Sequence, residues 1–184
     1  RMCGAGEIVS LPVRPPLGFP GHLTAVWRQR LGMAGDLAPA DWTIPQAWRD
    51  AAAAELAGLP NPPAGPCAVI HPGAGAPEKC WPIERFIELA GVLASRGMSV
   101  LFVLGPVEMD RWPAPRVAAL RAAGAVLADP PLAAFAGLLA DAALFVGNDS
   151  GGSHLAAAVG APTVALFAPT SPAQFGPLGR RVAC

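Results

Sequence analysis

Lys79, Glu108, Asp149, Ser150 and His154 are the side chains whose types and surroundings could do chemistry. Lys79 is the only lysine among 13 lysine and arginine residues. It ends the glycine-rich stretch His71-Pro72-Gly73-Ala74-Gly75-Ala76-Pro77-Glu78-Lys79, where a compact ammonium suits a phosphate. A composition biased toward arginine would leave one lysine just as well. Asp149 and Ser150 belong to the polar septet Asn148-Asp149-Ser150-Gly151-Gly152-Ser153-His154. Both are favourable helix N-cap types, the two glycines let backbone approach a ligand closely, and free N–H groups at a helix start attract anions. His154 falls about one helical turn further on, on the face that carries Ser150 or Gly151. The same septet also reads as a well-capped helix with a histidine satisfied in the core. Glu108 follows an apolar run and suits a ribose diol, as acidic residues after a strand do in dinucleotide folds; it reads equally as a solvated loop carboxylate.

Two familiar phosphate motifs are absent. The loop after His71 contains G-x-G but no third glycine at G-x-G-x-x-G spacing, and no G-x-x-x-x-G-K-[ST] occurs. Neither a dehydrogenase nor a P-loop enzyme is supported.

Elements that would position these residues follow from the apolar patterning. Residues 67–70, 98–104, 125–127, 142–146 and 163–167 are short apolar runs expected as strands. Between them, helices are expected at 83–96, 115–123, 132–140 and 155–159, most of them stopped by glycine. Alternating strands and helices with nearly continuous apolar strands predict an α/β fold, a Rossmann-like doubly wound parallel sheet. Ligands bind such sheets at the carboxyl ends of the strands. The loops 73–79, 105–108, 148–154 and 168–171 all follow strands and should share one rim.

Upstream the pattern is different. Residues 1–21 are broken by four prolines and four glycines. Short helices are expected at 22–31, with His22 at its exposed or capping start, and at 47–59, with loop at 33–47 between them. Residues 1–63 therefore read as a linker and helical segment, and 64–184 as the Rossmann-like domain. Arg1 is not an initiator methionine, and the end at Arg180-Arg181-Val182-Ala183-Cys184 reads like an opening strand, so a piece of a longer protein is expected.

Composition excludes several classes. Basic and acidic residues both total 13, so no net charge points to nucleic acid or an anionic membrane. Gly 21 and Pro 22 interrupt the apolar runs well short of the roughly 20 residues a membrane helix needs. Cys3, Cys67, Cys80 and Cys184 show neither paired nor metal-binding spacing, and a reducing cytoplasm is the expected compartment. No metal and no cofactor is expected.

Two separated motifs carry a family resemblance. H-P-G-A-G-x-P-x-K-x-W-P (His71 to Pro82) and G-N-D-S-G-x-x-H-L-A-A-A-x-G (Gly147 to Gly160), followed by A-L-F-A-P-T-x-P (Ala165 to Pro172), resemble glycosyltransferase family 9, the ADP-heptose:lipopolysaccharide heptosyltransferases and their relatives. The resemblance covers about residues 64–176. It implies the C-terminal, donor-binding half of a two-domain GT-B fold. It implies that Lys79 contacts the donor's phosphates, that Asp149, Ser150, Gly151 and His154 meet the diphosphate and sugar, and that Glu108 takes the ribose. Ala74 and Gly75 stand where relatives often have Ser or Thr, so that loop offers only backbone N–H groups. Gly152-Ser153 stands where Pro-Met is common.

The reaction implied is inverting transfer from an ADP-sugar such as ADP-heptose to a lipopolysaccharide core acceptor. The leaving ADP would be stabilised by a cation and backbone dipoles. No residue here corresponds to the family's catalytic aspartate, which lies in the N-terminal domain together with the acceptor cleft. This chain alone is therefore expected to be inactive. The implied setting is cytoplasmic, at the cytosolic face of the bacterial inner membrane, with peripheral membrane association of the full-length protein. Two other readings remain open at this point: another GT-B nucleotide-sugar enzyme, such as a UDP-sugar transferase or epimerase, and a non-catalytic nucleotide-binding module.

Overall fold

Parallel β-pairing fixes the frame of this molecule, whose computed structural model describes residues 9–35, 39 and 42–184. Cys3 and parts of the expected linker and of the 33–47 loop lie outside the described residues. Among the described residues, six strands form one parallel sheet: β1 (Cys67–His71), β2 (Ser99–Leu104), β3 (Ala125–Ala128), β4 (Leu144–Asn148), β5 (Thr163–Leu166) and β6 (Val182–Ala183). Their order is β3-β2-β1-β4-β5-β6, and each neighbouring pair is parallel. This is the Rossmann-like doubly wound sheet read from the sequence. β1 pairs with β2 on one side and β4 on the other, so the strand order reverses there and leaves a crevice at their carboxyl ends.

Side-chain alternation along β1 explains the two covered faces. Ala68 and Ile70 pack with Phe86, Ala90 and Leu93 of α3 (Ile83–Ser95) and Leu120 of α5 (Ala114–Ala123). Val69, between them, points the other way, into a cluster with Leu138 and Leu139 of α6 (Leu132–Ala140) and Ala156 of α7 (Gly151–Ala158). The upstream helices are α1 (Leu23–Arg30) and α2 (Gln46–Ala57). Ala52 of α2 joins the second cluster, and Gly137 of α6 lets α2 come so close that a Cβ there would collide with the Trp48 carbonyl. The Arg49–Asp141 ion pair seals the edge of that contact. His22 caps α1 as one of its two expected readings had it, accepting from Thr24 N–H at 3.3 Å, and its Nε2 lies 2.9 Å from the Gly176 carbonyl.

Three local expectations need correction. Residues 105–108, read as loop, open a short helix, α4 (Pro106–Arg111). Pro106 takes the first helical position and Glu108 the third, a legitimate start rather than a break. β4 lies two residues later than expected, because Asn148 is fully buried and pairs in the ladder with Leu166. α7 in turn begins at Gly151 rather than Leu155, so Asp149-Ser150 alone make the turn. A further short helix, α8 (Pro172–Phe175), follows β5.

Candidate functional site

The loops after β1 and β4 meet at the strand-order reversal, and one buried side chain stitches them together. Asn148, fully buried at the end of β4, donates from Nδ2 to the carbonyls of Pro72 (2.9 Å) and Gly73 (3.3 Å). Its Oδ1 accepts from the Trp81 N–H at 3.0 Å. Both ends of the glycine-rich loop are thereby tied to β4, and the loop closes on itself through a 3-10 turn at Pro77–Lys79. Ser153 then donates its hydroxyl to the Asn148 carbonyl at 2.6 Å, which anchors the first turn of α7 to the same point.

This stitching brings Lys79 to Asp149. The ammonium Nζ lies 2.7 Å from Oδ2 of Asp149, with the lysine side chain 29% exposed and the carboxylate 8%. Thr170, on the loop after β5, donates its hydroxyl to the same Oδ2 at 2.6 Å. Asp149 is therefore not a helix cap, contrary to one sequence expectation. Ser150 holds the N-cap position of α7, and its Oγ is buried without a hydrogen-bond partner. The first amides of α7 have no intrahelical acceptor by geometry, and a Cβ at Gly151 would meet open space.

Six of the residues singled out in the sequence fall into two cavities on the rim. Lys79, Asp149 and His154 share one of about 980 Å³, closed on other sides by Thr170, Trp27 and Phe175. Ala74, Gly75 and Glu108 line a second of about 410 Å³, walled by Trp81 and Trp112. Ser150 and Gly151 line neither. His154 is open to the larger cavity, so it is not the satisfied core histidine of the alternative reading. Desolvation by the surrounding walls still lowers its pKa from the ordinary 6.5, with His22 and Lys79 adding to the effect and Asp149 opposing it.

Glu108 is not a solvated loop carboxylate either. It is 4% exposed, accepts the Gly105 N–H at 2.9 Å through Oε2, and packs its carboxylate against Gly73, where a Cβ would collide with it. Thr170 and the Asn148 side chain are the site residues that sequence reasoning missed. A polar asparagine ending an apolar strand was a signal for the second; for the first the signal was its place in the A-L-F-A-P-T-x-P motif on the rim loop 168–171. Among the described residues no helix is long and apolar enough to cross a membrane.

Comparison with known proteins identifies relatives of this chain. The profile of Glycosyltransferase family 9 (heptosyltransferase) matches residues 22–184. Lipopolysaccharide heptosyltransferase 1 of Pseudomonas aeruginosa is 40% identical over 118 residues, 64% of this chain and 33% of the relative. The protein of the same name from Escherichia coli K12 is 37% identical over 142 residues, 76% of this chain and 44% of the relative. Among solved structures, E. coli heptosyltransferase WaaC with ADP aligns with a TM-score of 0.64 at 30% identity, over 90% of this chain and 50% of that one. A glycosyl transferase family 9 structure from Veillonella parvula reaches 0.74 at 25% identity, over 90% and 49%. The chain thus spans half or less of the length of these proteins.

Proposed function

This chain belongs to glycosyltransferase family 9, and on that premise we propose that it binds an ADP-sugar, ADP-heptose or a close analogue, as the donor half of a heptosyltransferase. The observation that carries the reading is the meeting of Lys79 and Asp149 at the strand-order reversal, with His154 in the same cavity. That is where an α/β sheet binds nucleotides, and the related WaaC structure holds ADP. In this reading Lys79 and the first amides of α7, at Gly151 and Gly152, bind the diphosphate, where the helix start adds its own positive field. Ala74 and Gly75 offer backbone N–H groups to it from the other side. His154 stays largely neutral near pH 7 and hydrogen-bonds the sugar or the β-phosphate. Glu108 has Oε2 occupied by Gly105 N–H, which leaves Oε1 for a ribose hydroxyl.

Transfer follows by direct displacement at the anomeric carbon. As the bond to ADP breaks, negative charge grows on the β-phosphate, where a fixed cation and aligned amides stabilise the transition state more than the ground state. In this reading the acceptor is a lipopolysaccharide core, the base that deprotonates it is supplied by a second, N-terminal domain, and transfer takes place at the cytosolic face of the inner membrane. Calorimetric titration of the 184-residue chain with ADP, UDP and GDP at one salt concentration tests the donor assignment. Saturable binding of ADP, tighter than UDP, is expected; equal binding of all three, or none, would overturn it.

A further inference from the structure

Asp149 is nearly buried, yet one of its oxygens, Oδ2, accepts from two donors at once: Lys79 Nζ at 2.7 Å and Thr170 Oγ1 at 2.6 Å. If Lys79 binds the donor diphosphate, as the proposed function holds, the ammonium must leave or share that oxygen when the ligand arrives. A carboxylate with 8% exposure cannot replace the lost donor freely with water, and a buried acceptor left unpaired is costly. We propose that Thr170 is the positioning residue that makes this exchange possible, by keeping Asp149 hydrogen-bonded and in place while Lys79 turns to the phosphate. Thr170 suits the task chemically. It is a neutral donor that does not compete for the phosphate's partner, it sits on the separate loop after β5, and it lines the same cavity. The proposal gives a role to the Thr of the Ala168-Pro169-Thr170 loop, whose hydroxyl donates to Asp149.

The consequence is an effect on ADP affinity that passes through the Thr170 hydrogen bond to Asp149. Thr170→Val removes the hydroxyl at similar volume, so Lys79 can reach the phosphate only by stranding Asp149. ADP should bind about tenfold more weakly, the equivalent of one hydrogen bond to a charged group. Thr170→Ser restores the hydroxyl and should bind like the parent, within about twofold. Two double variants separate this from a general loosening of the loop. In an Asp149→Asn background no charge is stranded, and in a Lys79→Ala background no ammonium moves. In both, adding Thr170→Val should leave ADP affinity unchanged. Thr170→Ala provides a second truncation should the valine variant fold poorly, with the folded fraction followed by circular dichroism. Parent-like binding by both truncations while Lys79→Ala is weakened would overturn the proposal and leave the site reading standing. An undiminished Thr170→Val loss in the Asp149→Asn background would overturn it as well. Parent-like binding by Lys79→Ala would remove the site reading and this proposal together.

Discussion

Lys79 and Asp149, 70 positions apart in the chain, are joined at 2.7 Å across the carboxyl ends of β1 and β4. The site's single lysine is therefore neutralised by a partner before any ligand arrives, and a diphosphate must compete with a carboxylate for it. This changes what substitution there should do. A solvated lysine bound to phosphate would be worth roughly 1.5–3 kcal/mol to the complex; a lysine that gives up an ion pair to bind should show less. We expect Lys79→Ala to weaken ADP by about tenfold, and to lower stability by about 1 kcal/mol because Asp149 keeps only Thr170 as donor. Asp149→Asn should act in the opposite direction on plain ADP, tightening it by about threefold to tenfold as the competing charge is removed. Calorimetry on the three chains and a urea melt of each check both statements; weaker ADP binding in Asp149→Asn would show that the carboxylate helps rather than competes.

The Asn148 side chain bears on stability more than on charge. Asn148→Ala leaves the Pro72 and Gly73 carbonyls and the Trp81 N–H without the partner that joins the two loops. A loss of about 2–3 kcal/mol is expected from orphaned buried groups and a small cavity. Urea unfolding followed by tryptophan fluorescence measures it. A change below about 0.5 kcal/mol, the ordinary range of a surface substitution, would mean that the loops are held elsewhere.

His154 gives the stability curve an acid-side slope. Its pKa is lowered in the folded chain, chiefly by desolvation, so the unfolded chain takes up its proton first as pH falls. The stabilising contribution is complete above the ordinary value of 6.5 and is lost progressively as pH drops through 6.5 toward the lowered one. The ring's opening to the cavity keeps the effect small. His154→Gln should flatten the fall in melting temperature between about pH 7.5 and 5 while leaving the upper part of the curve in place. An unchanged slope would show that the ring titrates alike in both states.

The chain's patterning already contained the sheet, because apolar runs bounded by glycine are what a two-sided parallel strand requires. It also contained the rim, because each functional loop follows such a run. What it did not contain was the geometry that crosses loops. Asp149 has the residue type of a helix cap, and only the fold shows it turned toward Lys79 while Ser150 takes the cap position. Glu108 was read in a loop because residues 105–108 follow a strand; Gly105-Pro106 with an acid two residues later is also a helix start. Thr170 lay in a motif and a rim loop that the sequence marked, but its partner did not show there, since its hydroxyl reaches back 21 positions to Asp149. The sequence placed the donor residues on one rim; in the structure the loop after β1 contributes to two cavities there, Lys79 joining Asp149 and His154 in one and Ala74 and Gly75 joining Glu108 in the other.

The lone lysine offers the most direct measurement. Amine acylation of this chain has two targets, Lys79 and the N-terminal amine, which peptide mapping distinguishes. If the diphosphate of ADP rests on Lys79, saturating ADP should slow acylation there by about tenfold or more, since a bound phosphate covers the amine and occupies its hydrogens. The N-terminal amine should react at the same rate throughout, and UDP at equal concentration should protect Lys79 less. Equal labelling of Lys79 with and without ADP, under conditions where calorimetry shows ADP bound, would contradict the account.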